Sequence, residues 1–194
     1  MLLCLMGLSP AAAQQPDPAS QQFNESGQVV LAGKKFPYII HRLPVNAFPD
    51  LPAPIVDQLN QRQCLVPQSY EAHHPENVVH ASLERAGSSD WAVLCSDSGK
   101  VALLVFFGSS PGKPIVLATA TEANRLQRHD SSGVLGFNWA IEPASPEAVH
   151  EAQSSMEKRP PRLDHDALAE ITLDRNNVYH FFKKGSWTLV DTSD

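Results

Sequence analysis

Residues 89–108 read SDWAVLCSDSGKVALLVFFG, and the placement of this stretch decides the fold. Two apolar runs flank a polar turn. In Trp91-Ala92-Val93-Leu94-Cys95 both alternating sets of side chains are apolar, and the same holds from Val101 to Phe107. A strand that is apolar on both faces is central and needs a cover on each side. Ser96-Asp97-Ser98-Gly99-Lys100 carries hairpin chemistry, because Gly99 accepts a positive φ without penalty. The stretch is therefore a buried hairpin.

Outward from the hairpin, residues 114–120 supply a third strand of a meander, and residues 77–83 (NVVHASL) supply one before it. Phe137, Trp139 and Ile141 alternate with small or polar neighbours, which predicts a strand with one face to water. Residues 36–40 (FPYII) read as an extended segment that Pro37 confines to a sheet edge. Helical signals are few. In residues 50–63, Asp50 is the expected N-cap, prolines suit the first turn, and Ile55, Val56 and Leu59 share one face. Ser145-Pro146-Glu147 starts a second helix, with Ala148, Val149, Ala152 and Met156 as its apolar stripe and Arg159-Pro160-Pro161 as its stop. The tail NNVYHFFKKGSWTLV is a hairpin turning at Lys184-Gly185-Ser186. Adjacent strands and scarce helices predict an α+β fold, an antiparallel sheet built from hairpins and a meander with two or three short helices.

The chain has 194 residues, 42% of them apolar, 19% charged, with a net charge of −6. That is one domain's worth of core. The acidic balance argues against nucleic acid, since phosphates demand clustered cations. The start, MLLCLMGLSPAAAQQ, holds a short apolar run and then Ala11-Ala12-Ala13, the small residues of a signal-peptidase site, although no Lys or Arg precedes the run. Residues 1–13 are read as a signal peptide, 14–28 as a flexible Pro-, Gln- and Ser-rich tether, and 29–194 as a single α+β domain. A periplasmic or secreted location follows. No other stretch approaches the ~18 apolar residues of a membrane span. Cleavage removes Cys4 and leaves Cys64 and Cys95, an even pair that an oxidising compartment joins as a disulfide.

Chemical motifs are weak. GSSPGKP (residues 108–114) has three residues between its glycines and proline where a phosphate loop needs Ser or Thr, so it is a turn. Ser155-Met156-Glu157-Lys158 matches S-x-x-K, but the partner motifs S-D-N and K-T-G are missing. His73, His74 and His80 in AHHPENVVH are candidate zinc ligands without a recognised zinc spacing. Adjacent His73 and His74 point to opposite sides of an extended chain, and a polar loop entering a strand accounts for the segment better. Asp164-His165-Asp166 is the candidate acid/base or cation site. Its bland reading is stronger: one aspartate caps a helical turn at residues 167–171 (ALAEI). Trp91, Trp139 and Trp187 all fall on expected strands, either as a binding platform or, more commonly, as core anchors.

The segment VVHASLERAGSSDWAVLCSDSGKVALLVFFG resembles one blade of the FG-GAP or VCBS type, with Asp90, Ala92, Val93, Gly99 and Gly108 at the positions of that pattern. The calcium-binding acids of that family are reduced to Glu84 and Asp90, so calcium is not carried over, and no cofactor is expected. The leader, QCLVPQ (63–68), DWAVLCS (90–96) and the segment from Asp164 to Trp187 are similar to uncharacterised exported bacterial proteins, which implies an envelope location. The expected function is an exported, non-catalytic binding or interaction domain for an envelope or extracellular protein or glycan. The alternative is a small extracytoplasmic hydrolase or metal-dependent enzyme using Asp164, His165 and Asp166.

Overall fold

The structure is a computed structural model that describes residues 23–154, 159 and 162–191. The central hairpin is β5 (Asp90–Asp97) and β6 (Lys100–Phe106), paired antiparallel from Trp91↔Phe106 to Asp97↔Lys100. Ser98 and Gly99 form its two-residue turn with φ of 51° and 77°, the positive pair whose twist matches that of the strands. β7 (Ile115–Thr121) extends the meander, with a bulge opposite Leu103 and Leu104. On the other side of β5 lie β3 (Leu65–Gln68) and β4 (Val78–Ala81), then β2 (Lys34–Pro44), which also carries β1 (Glu25–Leu31). β8 (Leu126–Arg128) and β9 (Leu135–Phe137) complete a nine-stranded sheet of order β7-β6-β5-β3-β2-β9-β8. Its terminal strands, β7 and β8, are joined by a 3-10 turn of only four residues, Glu122–Arg125. So short a link brings the two ends of the sheet together and curls it. One pairing is parallel, β2 with β9 at Tyr38↔Leu135. The second sheet has four antiparallel strands in sequence order: β10 (Trp139–Ala144), β11 (Ala167–Thr172), β12 (Asn176–Lys183) and β13 (Ser186–Asp191). This is the α+β, mainly antiparallel architecture that the hairpin pattern implies.

The period of two sorts the core into three layers. Ala92, Leu94, Val101, Leu103 and Val105 point from the large sheet toward Trp139, Ile141 and Leu168 of the small one. The opposite set, Trp91, Val93, Cys95, Leu104 and Phe106, packs against Ile55 and Leu59 of α1 (Ala53–Gln61). Outside the small sheet, Ala167, Ala169 and Phe181 pack with Val149 of α2 (Pro146–Ala152). The order is helix, sheet, sheet, helix. Cys64, three residues beyond α1, is bonded to Cys95 of β5 with their Cα atoms 5.2 Å apart and a sequence separation of 31. Closing a loop of that length stabilises the fold by roughly 3–4 kcal/mol in the chain-entropy account.

Several local expectations are corrected. Strand β1 begins at Glu25, so residues 25–28 belong to the sheet and not to a tether, while the leader and residues 14–22 lie outside the described residues. Pro37 sits within an eleven-residue strand, tolerated because β9 pairs that side of β2 only at Tyr38. Pro52, without a side-chain bond, occupies the N-cap of α1 in place of Asp50. Helix α2 ends at Ala152, and Met156 and the S-x-x-K residues 155–158 lie outside the described residues. Residues 137–141 show no face to water: all five are buried, because the chain passes from one sheet to the other at Asn138. Residues 167–171 form strand β11 and no helical turn, since pairing with β10 and β12 overrides the helix propensity of ALAEI.

Polar side chains tie the sheets together. Asn77 is 1% exposed with φ of 69°, a left-handed conformation that asparagine tolerates. Its amide donates to Pro67 O (2.7 Å) and Trp139 O (3.3 Å), and its Oδ1 accepts from Ile141 N (3.0 Å). One side chain thus joins β3 to β10. Replacing Asn77 by Ala strands these buried groups and is expected to cost about 3 kcal/mol, read as a lower urea midpoint with an unchanged slope.

A second tie runs from Arg125, whose guanidinium lies 3.9 Å from the Trp139 ring centroid, to Glu170 Oε1 at 2.8 Å. Glu170 Oε2 meets His180 Nε2 at 2.8 Å. Burial opposes the Glu170 charge, but the His180 hydrogen bond and the Arg125 charge overcome it and hold the carboxyl below its ordinary value of 4.5. A carboxylate held low contributes stability above the ordinary value and loses it as pH falls through the lowered one. Denaturant midpoints measured against pH should therefore drop below about pH 4.5. In Glu170→Gln part of that drop disappears, and stability at neutral pH falls by about 3 kcal/mol.

Candidate functional site

The convergent polar surface lies where β2 meets β9, beside the loop after β3. Parallel pairing at Tyr38↔Leu135 sets residues 129–137 alongside Ile39 and His41. Two cavities open there, of about 390 Å³ and about 260 Å³. Both are lined by His41, Gln68 and Tyr70, so they form one cleft. His73 and His74 line the first and His129 the second, which brings four imidazoles to one surface.

The wall is built from the backbone up. Tyr70 N donates to Phe137 O (2.9 Å), anchoring the loop to β9. The Tyr70 ring then stacks on His129, with centroids 4.5 Å apart and planes at 11°. Its hydroxyl donates to Asp174 Oδ2 at 2.7 Å, in the turn between β11 and β12. Burial and the Asp174 carboxylate push the Tyr70 phenol well above its ordinary value, so it stays a protonated donor. Gln68 is spent internally: its Nε2 donates to Val66 O and Glu76 O, and its Oε1 accepts from Glu76 N. Glu76 Oε1 in turn accepts from Ser69 N at 2.7 Å. His41 Nδ1 lies 2.7 Å from Asn24 Oδ1. At the rim, hydrogen bonds from the Ser132 hydroxyl and amide hold Asp130 below the usual carboxylate range. The cleft presents rigid rings and imidazole edges on a fixed frame.

The other candidates are dispersed. His80 is not beside His73 and His74; it stacks on Trp91 at 4.4 Å and meets Ser89 Oγ at 2.7 Å. Among the described residues no group of three or more His, Cys, Asp or Glu side chains is placed to hold a metal. Asp164, His165 and Asp166 do not converge either. His165 is buried, with Nδ1 at 2.7 Å from Asp164 Oδ1 and Nε2 at 2.8 Å from Phe182 O. Asp166 faces Ser82, accepting its N–H at 3.0 Å and donating its own N–H to Ser82 O at 3.1 Å. The aspartates cap no helix; Asp166 ties the end of β4 to the start of β11. Trp139 is fully buried, and Trp187 packs with Phe107 and Phe182, so these rings are core. Asp90 is also internal, accepting from Leu83 N, Glu84 N and Ser88 Oγ through Oδ2 and from Gly108 N through Oδ1.

Sequence reasoning missed His41, Tyr70 and His129. They are separated by 29 and 59 residues in the chain, a spacing that carries no motif, and only a non-local pairing unites them. Compared with known family models, curated proteins and solved structures, the chain matches none.

Gly136 makes the stack possible. A Cβ there would lie 2.6 Å from Tyr70 Cβ and 3.0 Å from His129 Cδ2. Gly136→Ala is expected to part the rings at a cost of about 1–3 kcal/mol, visible as a shifted His129 ring resonance alongside the lower denaturation midpoint.

Proposed function

We propose that this chain is an exported, non-catalytic binding module that engages an envelope or extracellular partner, protein or glycan, at the His41–Tyr70–His129 cleft. The observation that carries this reading is the cleft's construction. Stacked rings and exposed imidazoles face an open cavity, while the groups behind them are committed to hydrogen bonds within the frame. Sites that select ligands combine such a fixed apolar wall with a few polar edges. The Cys64–Cys95 bond supports an oxidising compartment, and no helix among the described residues is long and apolar enough to cross a membrane. The hydrolase alternative gains no support from Asp164, His165 and Asp166, because both His165 nitrogens are occupied within the fold.

A photoreactive residue in place of exposed His74 tests the reading in intact cells or their culture medium. One discrete cross-linked partner is expected, and Tyr70→Ala should abolish it while the disulfide and the far-UV spectrum stay unchanged. Cross-links that persist undiminished in Tyr70→Ala, or none at all, would discard the cleft as the binding surface.

A further inference from the structure

A second surface lies on the far side of the hairpin, at the β7 edge. Sheet edges present unpaired amides and carbonyls, and soluble proteins normally blunt them with charge or proline. The other outer strands here do so: Arg128 in β8, Glu25 in β1, His80 in β4, Glu142 and Pro143 in β10, Asp191 in β13. Strand β7, IVLATAT, has neither charge, histidine nor proline in its seven residues. Glu122 N bonds Gly99 O on the β6 side at 3.0 Å. By the alternation of an antiparallel strand, the amides of Thr121 and Thr119 then point away from β6. The bulge lies N-terminal to this stretch, between the pairs Leu103↔Ala118 and Leu104↔Val116, so residues 118–121 stay regular.

Beside that stretch opens a cavity of about 700 Å³, because α1 covers β5 and stops short of β7. Its floor includes Ala102, and its rim carries Thr119, Thr121, Arg62 and Lys100. Neither Arg62 nor Lys100 has an ion-pair partner among the described residues, although the chain as a whole is acid-rich with a net charge of −6. Asp97, the one carboxylate on the rim, accepts a hydrogen bond from Ser98 Oγ.

We infer that β7 accepts an extended, acidic segment of a partner protein as an added strand, its carboxylates reaching Arg62 and Lys100 over the cavity. Backbone pairing at the Thr119 and Thr121 amides supplies the attachment, and alternate side chains of the guest fall toward the cavity. A cationic guest is selected against by the same two residues. This surface is separate from the histidine cleft, and neither depends on the other.

The probe is a fluorescein-labelled heptapeptide, Thr-Val-Glu-Val-Glu-Val-Thr, followed by fluorescence anisotropy with the disulfide-bonded protein. Saturable binding that weakens with added salt is expected. The same peptide with Lys for Glu, or N-methylated at its Glu and Val residues alike so that neither set of amides can donate to the edge, should not bind. In the protein, Arg62→Glu with Lys100→Glu should weaken binding by roughly tenfold or more. Thr119→Pro, which removes an outward amide and no ladder bond, should do the same. Tyr70→Ala should leave it unchanged. Failure of the acidic peptide to bind the wild type, or equal binding by the N-methylated peptide, would overturn the inference even if Thr119→Pro fails to fold.

Discussion

The fold depends on a hairpin that no single layer can cover. Every residue of β5 from Asp90 to Ser96 is buried, and β6 is buried from Leu103 onward. Both of its faces are apolar, so water must be excluded twice, at roughly 25 cal/mol for each Å² of apolar surface removed. One cover is α1 and the other is the small sheet. The rest of the topology serves to deliver these covers. The disulfide holds the end of α1 against β5 on one side. The passage through Asn138 carries the chain from β9 into β10 on the other.

Apolar burial is non-directional and does not by itself fix how two sheets sit on one another. The buried polar groups do. Asn77 offers three bonds whose partners lie in β3 and in β10, and the Arg125–Glu170–His180 set links the turn after β7 to β11 and β12. A third set joins Arg42 of β2 to Glu122 (2.8 Å) and to Glu25 of β1 (2.8 Å), and Ser96 of β5 donates to the same Glu122. Each set costs desolvation, and each is satisfied only in one register. All three cross between strands distant in sequence, which makes them instruments of alignment more than of net stability.

This division explains what the sequence made legible. The β5–β6 and β12–β13 hairpins, the Ser145 cap and the Cys64–Cys95 bond all rest on local patterns: period two, positive-φ turn residues, a capping hydroxyl, an even cysteine count. Readings failed where a distant partner overruled a local preference. ALAEI has helical propensity but lies between β10 and β12, and Phe137 to Ile141 alternate like a half-exposed strand but lie between two sheets. The histidine cleft was illegible for the same reason. His41, Tyr70 and His129 meet only because β2 and β9 run parallel for a single pair, and parallel contacts leave no short-range trace.

The same constraint places the two surfaces proposed for recognition. Covering both faces of the central hairpin uses up its regular surface, so exposed chemistry is left to the margins of the sheet. One margin is the junction of β2 and β9, where loops carry Tyr70 and His129 on hydrogen bonds to β9 and to the β11–β12 turn. The other is β7, which α1 does not reach and which therefore keeps a bare edge beside an open cavity. Rigid scaffolds commonly expose their function on such margins, because a fully paired, fully packed strand has no donor or acceptor to spare. In this chain the disulfide lies between α1 and β5 and its Cys95 lines the floor of the β7 cavity. The bond that closes the α1 layer therefore also sets how far the helix end, with Arg62, stands from the open edge.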